Sequence, residues 1–470
     1  MATFSGAENT PDQGGVLNED MLQPALPTAA AAHLTREDVL RAEDRQRIRQ
    51  LRASRSWLRL LWLLAGPGVL VMLGENDGPS MVSYATTGAT YGVGFFVPFI
   101  LLTFLMAYVV QEMTVRLGAA THRGHSELIF QRFGPFWGYF AMADLVVGNV
   151  LTQVTEFIAI QAGGLYFGLP AWLSVLLGVA LVFTSLAFGR YATWERSLLA
   201  LAAFNLLFIP AALLAHPDGG ALLHALGTWS PLPGGFTRSF VTLVLANIGA
   251  TVTPWMIFFQ QSAVVDKGLT RADIAQGRTD TAIGAAVAAV AAIATVVAAA
   301  PLYAAHTDVS NFASGADFAT ALRPHIGNLG ATLFALGIIE AGLVAAMTIS
   351  TSSSYALAET VHAQHSLNLD FSGGRLFYGT AIGSTLLAAG IVLIPGAPLL
   401  ALTLTVNVIA TLLMAPALVF LLLLVNDREI MGDLANGRRG NLVAGSITVA
   451  ISAIGAFYGL ITVFPGLLGT

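Results

Sequence analysis

Two short stretches carry residue types that can do chemistry inside otherwise apolar surroundings. The first is GENDGPS, Gly74 to Ser80, which places Glu75, Asn76 and Asp77 ahead of Gly78 and Pro79. The second is NIGATVTP, Asn247 to Pro254, which combines Gly249, Thr251 and Thr253 with the same kind of proline stop. Each sits mid-way along a run long enough to cross a membrane as a helix. Irregular backbone at membrane depth is tolerated only where it lines a cavity or is buried in protein. Unwinding frees carbonyl oxygens, and the half-helix ends add oriented dipoles. Asp77 beside such a break puts a fixed anion next to free carbonyls, which is a site for a cation. The plainer reading is a kink with a capping aspartate. Intramembrane carboxylates are costly, roughly 2.5–3.5 kcal/mol on insertion scales, and mark function by default.

The elements around the breaks follow from composition. The chain has 470 residues, is 55% hydrophobic and only 10% charged, against about 25% charged in soluble proteins. That makes it an all-α polytopic membrane protein. Uncharged runs predict eleven spans near 60–85, 92–115, 138–165, 171–189, 197–215, 239–265, 281–304, 329–358, 376–396, 398–425 and 442–468. With the N-terminus inside, 20 of the 22 basic residues fall on inner segments, and only Arg238 and Arg323 fall outside. The expected topology is therefore N-terminus cytoplasmic and C-terminus outside, in the cytoplasmic (inner) membrane. Residues 1–56 form a polar segment, mostly disordered and then basic, ahead of a transmembrane domain over 57–470. No cysteine is present, which removes disulfides, zinc–thiolate sites and thiol redox chemistry. No signal-peptide pattern opens the chain, and nothing suggests nucleic-acid binding.

The broken spans are the first and the sixth, five apart and so opposite in orientation. Paired interruptions in corresponding halves are the best sequence pointer to a transporter site. Here the chain resembles the NRAMP divalent-metal transporters. GPGVLVMLGENDGPS is similar to the family's first-helix motif, and QEMTVRLGAATHRGHSEL to its second helix and inner loop. NIGATVTP resembles the sixth-helix motif, and NDREIMGDLANGRRGN the loop after helix ten. The resemblance implies a LeuT-type fold, with two inverted five-helix repeats (helices 1–5 and 6–10), an eleventh helix, and helices 1 and 6 broken. It implies a metal site in which Asp77 is the ligating aspartate and Ala250 lends its carbonyl.

The departures from the family pattern shape the expected substrate. Ser80 stands where the family has an asparagine ligand, and Thr253 where it has a methionine. Trp255 and Gln260 replace histidines, Gln153 replaces an aspartate, and Glu340 replaces a small residue. Loss of the thioether shifts the donor set toward oxygen and hard cations. The shorter side chains leave room for a partly hydrated ion such as Mg²⁺. Met256, one turn on, would restore a soft ligand if the helix were wound differently. The pattern resembles most the NRAMP-related magnesium transporters. The expected function is Mg²⁺ import, with Mn²⁺ also accepted, by alternating access. Gln153, Trp255 and Gln260 cannot titrate near neutrality, so obligatory proton coupling is not expected; Glu156 and Glu340 remain as possible carriers. Glu75 either adds negative charge or faces an aqueous vestibule.

Asn407 in helix ten is either a late metal ligand or a packing contact. Glu112 is expected in a structural or gating network. His122, His125, His362 and His365 read as solvated loop residues, since no metal-site spacing accompanies them. A monomer with no cofactor beyond its cargo, facing the lipid bilayer, is expected. The rivals are a proton-coupled Mn²⁺/Fe²⁺ transporter and a membrane metal sensor. An enzyme is not expected, because no paired-Asp, HExxH or Ser–His arrangement lies at membrane depth.

Overall fold

A computed structural model describes residues 66–230, 237–310, 314–396 and 399–463, with a few isolated positions besides. The expected disordered segment, 1–56, and the first residues of span one lie essentially outside them. In chain order the described helices are α1 (Pro67–Glu75), α2 (Gly78–Tyr91), α3 (Phe96–Thr121), α4 (His125–Phe133), α5 (Pro135–Tyr166), α6 (Ala171–Leu186), α7 (Tyr191–Ala202) and α8 (Phe208–Leu214). They continue with α9 (Gly219–Thr228), α10 (Arg238–Gly249), α11 (Pro254–Asp266), α12 (Ile274–Ala304), α13 (Gly315–Thr360), α14 (Arg375–Val392), α15 (Leu399–Asn426), α16 (Arg428–Met431) and α17 (Arg438–Val463). No strand occurs among the described residues.

All eleven expected spans find a helical counterpart. Nine helical stretches among the described residues are long and apolar enough to cross a membrane, and Ala171–Leu186 is a shorter apolar helix. The remaining span is α1 plus α2, interrupted at Asn76 and Asp77. Several helices outrun the apolar windows. The helical stretch Gly315–Thr360 is broken at Gly327, with φ 72° and ψ 175°, so its long apolar segment starts just after that residue, close to the expected 329, and a shorter segment opened by the reciprocal cap of Ser314 and Asp317 precedes it. The fifth span begins at Tyr191 and tightens to a 3₁₀ turn at Ala203–Leu207 before α8.

The core is helix on helix, with α13 laid along α5, and α12 against α1, α2 and α3. Small residues allow these approaches. A methyl group added at Gly249 would collide with the carbonyl of Asn407, so α10 and α15 meet backbone to backbone beside the second break.

Charged residues tie helix ends together on one face, here called the basic face. Arg116 bonds Glu112 and Asn436, Arg278 bonds Glu112, Arg132 pairs with Asp427, and Arg271 with Asp433. Glu112 is thus in the structural network expected for it. Deeper on this face, Lys267 and Glu195 form a buried pair at 3.0 Å, and Tyr191 donates to Glu195 at 2.9 Å. The two Asp280 oxygens accept the backbone N–H groups of Gly66 and Gly68 at 3.1 and 2.7 Å. Asp266 accepts from Tyr355 and Ser366, and Glu359 from Ser262 and the Ser126 N–H. The entry to α1 and the exit from α11 are therefore both anchored by buried polar bonds on this face.

Gly249→Val is expected to lower the thermal stability of the purified protein, by about 1–3 kcal/mol, the usual cost of overpacking. An unchanged melting temperature would mean that α10 and α15 are not in backbone contact.

Candidate metal site at the paired helix breaks

The first break is built from its own sequence. α1 stops at Glu75, and Asn76 and Asp77 leave helical geometry. Asp77 then caps α2, its Oδ1 accepting the Ser80 N–H at 2.8 Å, while Gly78 and Pro79 open the new helix. The capping reading and the ligand reading are compatible, since one lone pair of one oxygen serves the cap. The second break differs. α10 ends at Gly249, Ala250 to Thr253 form the linker, and Pro254 starts α11. Thr253 sits at the capping position, yet its hydroxyl does not cap α11. It donates across to Glu75 Oε2 at 2.7 Å. That bond joins the two breaks directly.

A second tie runs the other way. The Tyr84 hydroxyl, on α2, donates to the Ala250 carbonyl at 2.8 Å and also contacts Thr251 at 3.1 Å. A carbonyl has a second lone pair, so Ala250 keeps one acceptor position. Glu156 reaches in from α5, its Oε2 accepting the Gly78 N–H at 3.0 Å. Glu75, Asp77, Ser80, Glu156, Ala250 and Thr253 are all 2% exposed or less. Among them, Glu75 Oε1, Glu156 Oε1 and Ser80 Oγ have no hydrogen-bond partner. Three buried carboxylates and three orphaned oxygens face no basic partner among the described ion pairs.

The other expected residues are dispersed. Asn407 donates to Ser83 at 2.9 Å, one turn along α2 from Ser80, and tethers α15 to the half-helix. Gln153 donates to Thr385 and joins α5 to α14, away from the breaks. Gln260 joins α11 to Thr281 of α12. Trp255 lies over Gly74, and its carbonyl accepts from Ser352. Met256 is buried in the apolar core. Glu340 bonds Asn205 at 3.5 Å. One expectation on histidines fails. His125 is not solvated but fully buried, with Nδ1 2.8 Å from Gln261 Oε1 and its ring edge-on to Phe258. His122 and His362 are exposed as expected, and His365 is half-buried. Tyr84 and Asn205 were not singled out. Tyr84 lies seven residues after Asp77, two turns along the same face, which was the available signal.

The donors at the breaks are oxygens throughout. No group of three or more His, Cys, Asp or Glu side chains stands in metal-holding geometry among the described residues. A cation here would need the neutral oxygens of Ser80, Ala250 and Thr253 beside the carboxylates. A cavity flanking Gly78 and Pro79, lined also by Thr155, Ala159, Ser314 and Thr403, holds about 10 Å³, room for one water at most.

The comparisons decide the family. The sequence model described as "Natural resistance-associated macrophage protein-like" (Nramp) matches residues 68–461. The chain belongs to the Nramp family. This Nramp protein is 26% identical over 416 residues to the divalent metal cation transporter MntH of Yersinia enterocolitica, spanning 85% of this chain and 95% of the relative. It is 25% identical over 421 residues to MntH of Pectobacterium carotovorum, spanning 86% and 95%. Its fold matches the Eremococcus coleocola manganese transporter with a TM-score of 0.70 at 20% identity, covering 88% of this chain and 90% of that one. It matches MhsT with a TM-score of 0.56 at 15% identity, covering 84% and 97%. The fold is the LeuT type, with inverted repeats and helices 1 and 6 broken.

Burial pushes the His125 imidazole down to about 4, against an opposing hydrogen bond to Gln261 Oε1. The unfolded chain therefore binds this proton from about pH 6.5 downward while the folded chain refuses it until about pH 4. Stability is expected to fall as pH drops through that window, by roughly 2 kcal/mol at pH 5. His125→Asn, which can keep a bond to Gln261, should flatten this part of the profile. A profile unchanged by the substitution would place the acid sensitivity elsewhere.

Proposed function

We propose that this Nramp protein carries a divalent metal cation across the cell membrane by alternating access, binding it between the two helix breaks. One observation carries the reading. Glu75, Asp77 and Glu156 are buried together at the breaks, Glu75 and Glu156 each with an unpartnered oxygen, and no basic side chain pairs with them among the described ion pairs. Buried charge needs a counter-charge, and a dication supplies it. Asp77 is the main anionic ligand. Ala250 contributes its carbonyl, Ser80 and Thr253 their hydroxyls, and Asn407 reaches the site through α2.

The first choice of cargo is Mn²⁺. The names of the relatives, a divalent metal cation transporter and a manganese transporter, support this over the Mg²⁺ expected from sequence. Mg²⁺ is the second reading, carried by the all-oxygen donor set, which suits Mg²⁺ and Mn²⁺ alike. Proton coupling belongs with the first reading. The Gln153 and Gln260 side chains are engaged in neutral contacts, and Trp255 accepts from Ser352 through its backbone carbonyl. Glu156, beside Asp77, is the group placed to exchange a proton as metal arrives. The uncoupled route belongs with the Mg²⁺ reading. The basic face is the cytoplasmic one in this proposal.

Uptake into liposomes containing the protein tests this, with a proton-sensitive dye alongside. Saturable Mn²⁺ entry with a proton signal is expected. Asp77→Ala should reduce it more than about 100-fold, since outer-shell losses alone cost about 10–100-fold. Mg²⁺ entry without a proton signal would favour the second reading. Metal binding without flux would turn the reading to a sensor. Thr253→Met should make Cd²⁺ a better competitor by adding a soft ligand; no change would mean that Thr253 does not face the ion.

A further inference from the structure

On the basic face, the turn between α6 and α7 and the segment between α13 and α14 enclose a groove that the metal site does not use. Phe183, Leu186 and Phe188 line one wall, and Phe371, Tyr378 and Ile382 the other, around a volume of about 430 Å³. Pockets of that size hold small ligands. The Tyr191 N–H donates to Asn368 Oδ1 at 3.0 Å and fastens the two walls together. The Phe371 and Tyr378 rings stack at 6.0 Å, and the Tyr378 hydroxyl donates to the Leu369 carbonyl at 2.8 Å. Phe188 and Phe371 are nevertheless 39% and 60% exposed. Asp370 lies at the rim and accepts from Ser372 and the Gly373 N–H.

A described position of the N-terminal segment stands at the same rim. Glu43 pairs at 3.4 Å with Arg190, which directly follows Phe188 and Gly189 of the groove. Ahead of it, residues 21–27 read MLQPALP, with Pro24 and Pro27 spaced as Pro-x-x-Pro. Extended proline-rich segments of this kind dock in aromatic-lined grooves, because little conformational entropy is left to lose. Pro27 lies sixteen residues before Glu43, a separation that a flexible chain spans in roughly 20–24 Å. Tethering at that range gives an effective concentration of order millimolar. A lipid phosphate is the less suited occupant. Arg190, the cation that would draw it, is engaged by Glu43, and Asp370 would repel it.

We propose that this groove receives residues 21–27 of the chain's own N-terminal segment, with the Glu43–Arg190 pair as anchor. The segment continues in sequence into α1, which packs mainly against α12, whereas α6 and α14 pack against α5 and α13. A docked segment thus ties the first broken span to a second group of helices, on the face that the transport reading opens to the cytoplasm. The docking itself does not rest on that reading.

Disulfide trapping in the full-length protein in liposomes tests it, since the chain has no cysteine of its own. A disulfide needs Cα atoms within about 7 Å. Leu26→Cys is paired with Ala187→Cys at an exposed position on the groove, or with Asp433→Cys on the same face outside it. The first pair is expected to cross-link within one chain at least about tenfold faster than the second, as docking raises the local concentration. Phe371→Cys repeats the test from the opposite wall should Ala187→Cys fail to fold. Glu43→Arg should slow the trapping by up to about fivefold, the worth of an exposed ion pair, and Arg190→Glu added to it should restore the rate. Equal trapping at Ala187 and Asp433 would overturn the proposal, since an undocked segment reaches both. So would a rate indifferent to Glu43→Arg, and so would a disulfide between two chains, which would give the groove to a second copy. Absence of trapping at both walls would overturn it as well, and phospholipid retained by the purified protein would then name a lipid as the occupant.

Discussion

The structure turns on the hydrogen bond from Thr253 to Glu75. Two helices broken in hydrocarbon would each leave backbone and side-chain polar groups without water. Here each break supplies what the other lacks. Thr253 gives up capping its own half-helix to satisfy a carboxylate of the opposite repeat. Tyr84 of the first repeat satisfies the carbonyl of Ala250 in the second. Glu156 and Asn407 then fasten the start of α2 to α5 and α15. The result is a polar core that keeps unpartnered carboxylate oxygens on Glu75 and Glu156. A cation complements them.

Anchoring on the basic face follows from the same economy of polar groups. Asp280 holds the N–H groups at the entry to α1, and Lys267 with Glu195 holds the exit of α11. Both broken spans are thus anchored at one end by buried charge. Removing one member of a buried pair strands the other at a cost of about 3–5 kcal/mol. Such anchors favour a two-state opening over gradual loosening, which is what alternating access needs.

Much of this was legible in sequence, and the reasons differ by element. The breaks at Asp77 and Thr253 were visible because Gly, Pro and small polar residues cannot pass unnoticed in apolar runs. Asp77, Glu75 and Glu156 were found because carboxylates are rare there. Helix ends were harder: a short helical segment capped by Ser314 and Asp317 precedes the break at Gly327 and carries no apolar window of its own. Register alone could not say that Gln153 turns to Thr385 or that His125 is buried against Phe258. Tyr84 and Asn205 were missed because an uncharged polar residue in a long span carries no distinctive pattern until its partner is known. Substrate choice was the least legible. An oxygen donor set separates hard from soft ions but not Mn²⁺ from Mg²⁺.

The central claim is that the cation sits between the two breaks. The most direct measurement is anomalous scattering from crystals of the protein soaked with Mn²⁺. The account predicts a peak within ligand distance of the Asp77 carboxylate and the Ala250 carbonyl, absent in Asp77→Ala. A strong peak elsewhere, with none at Asp77, would contradict it.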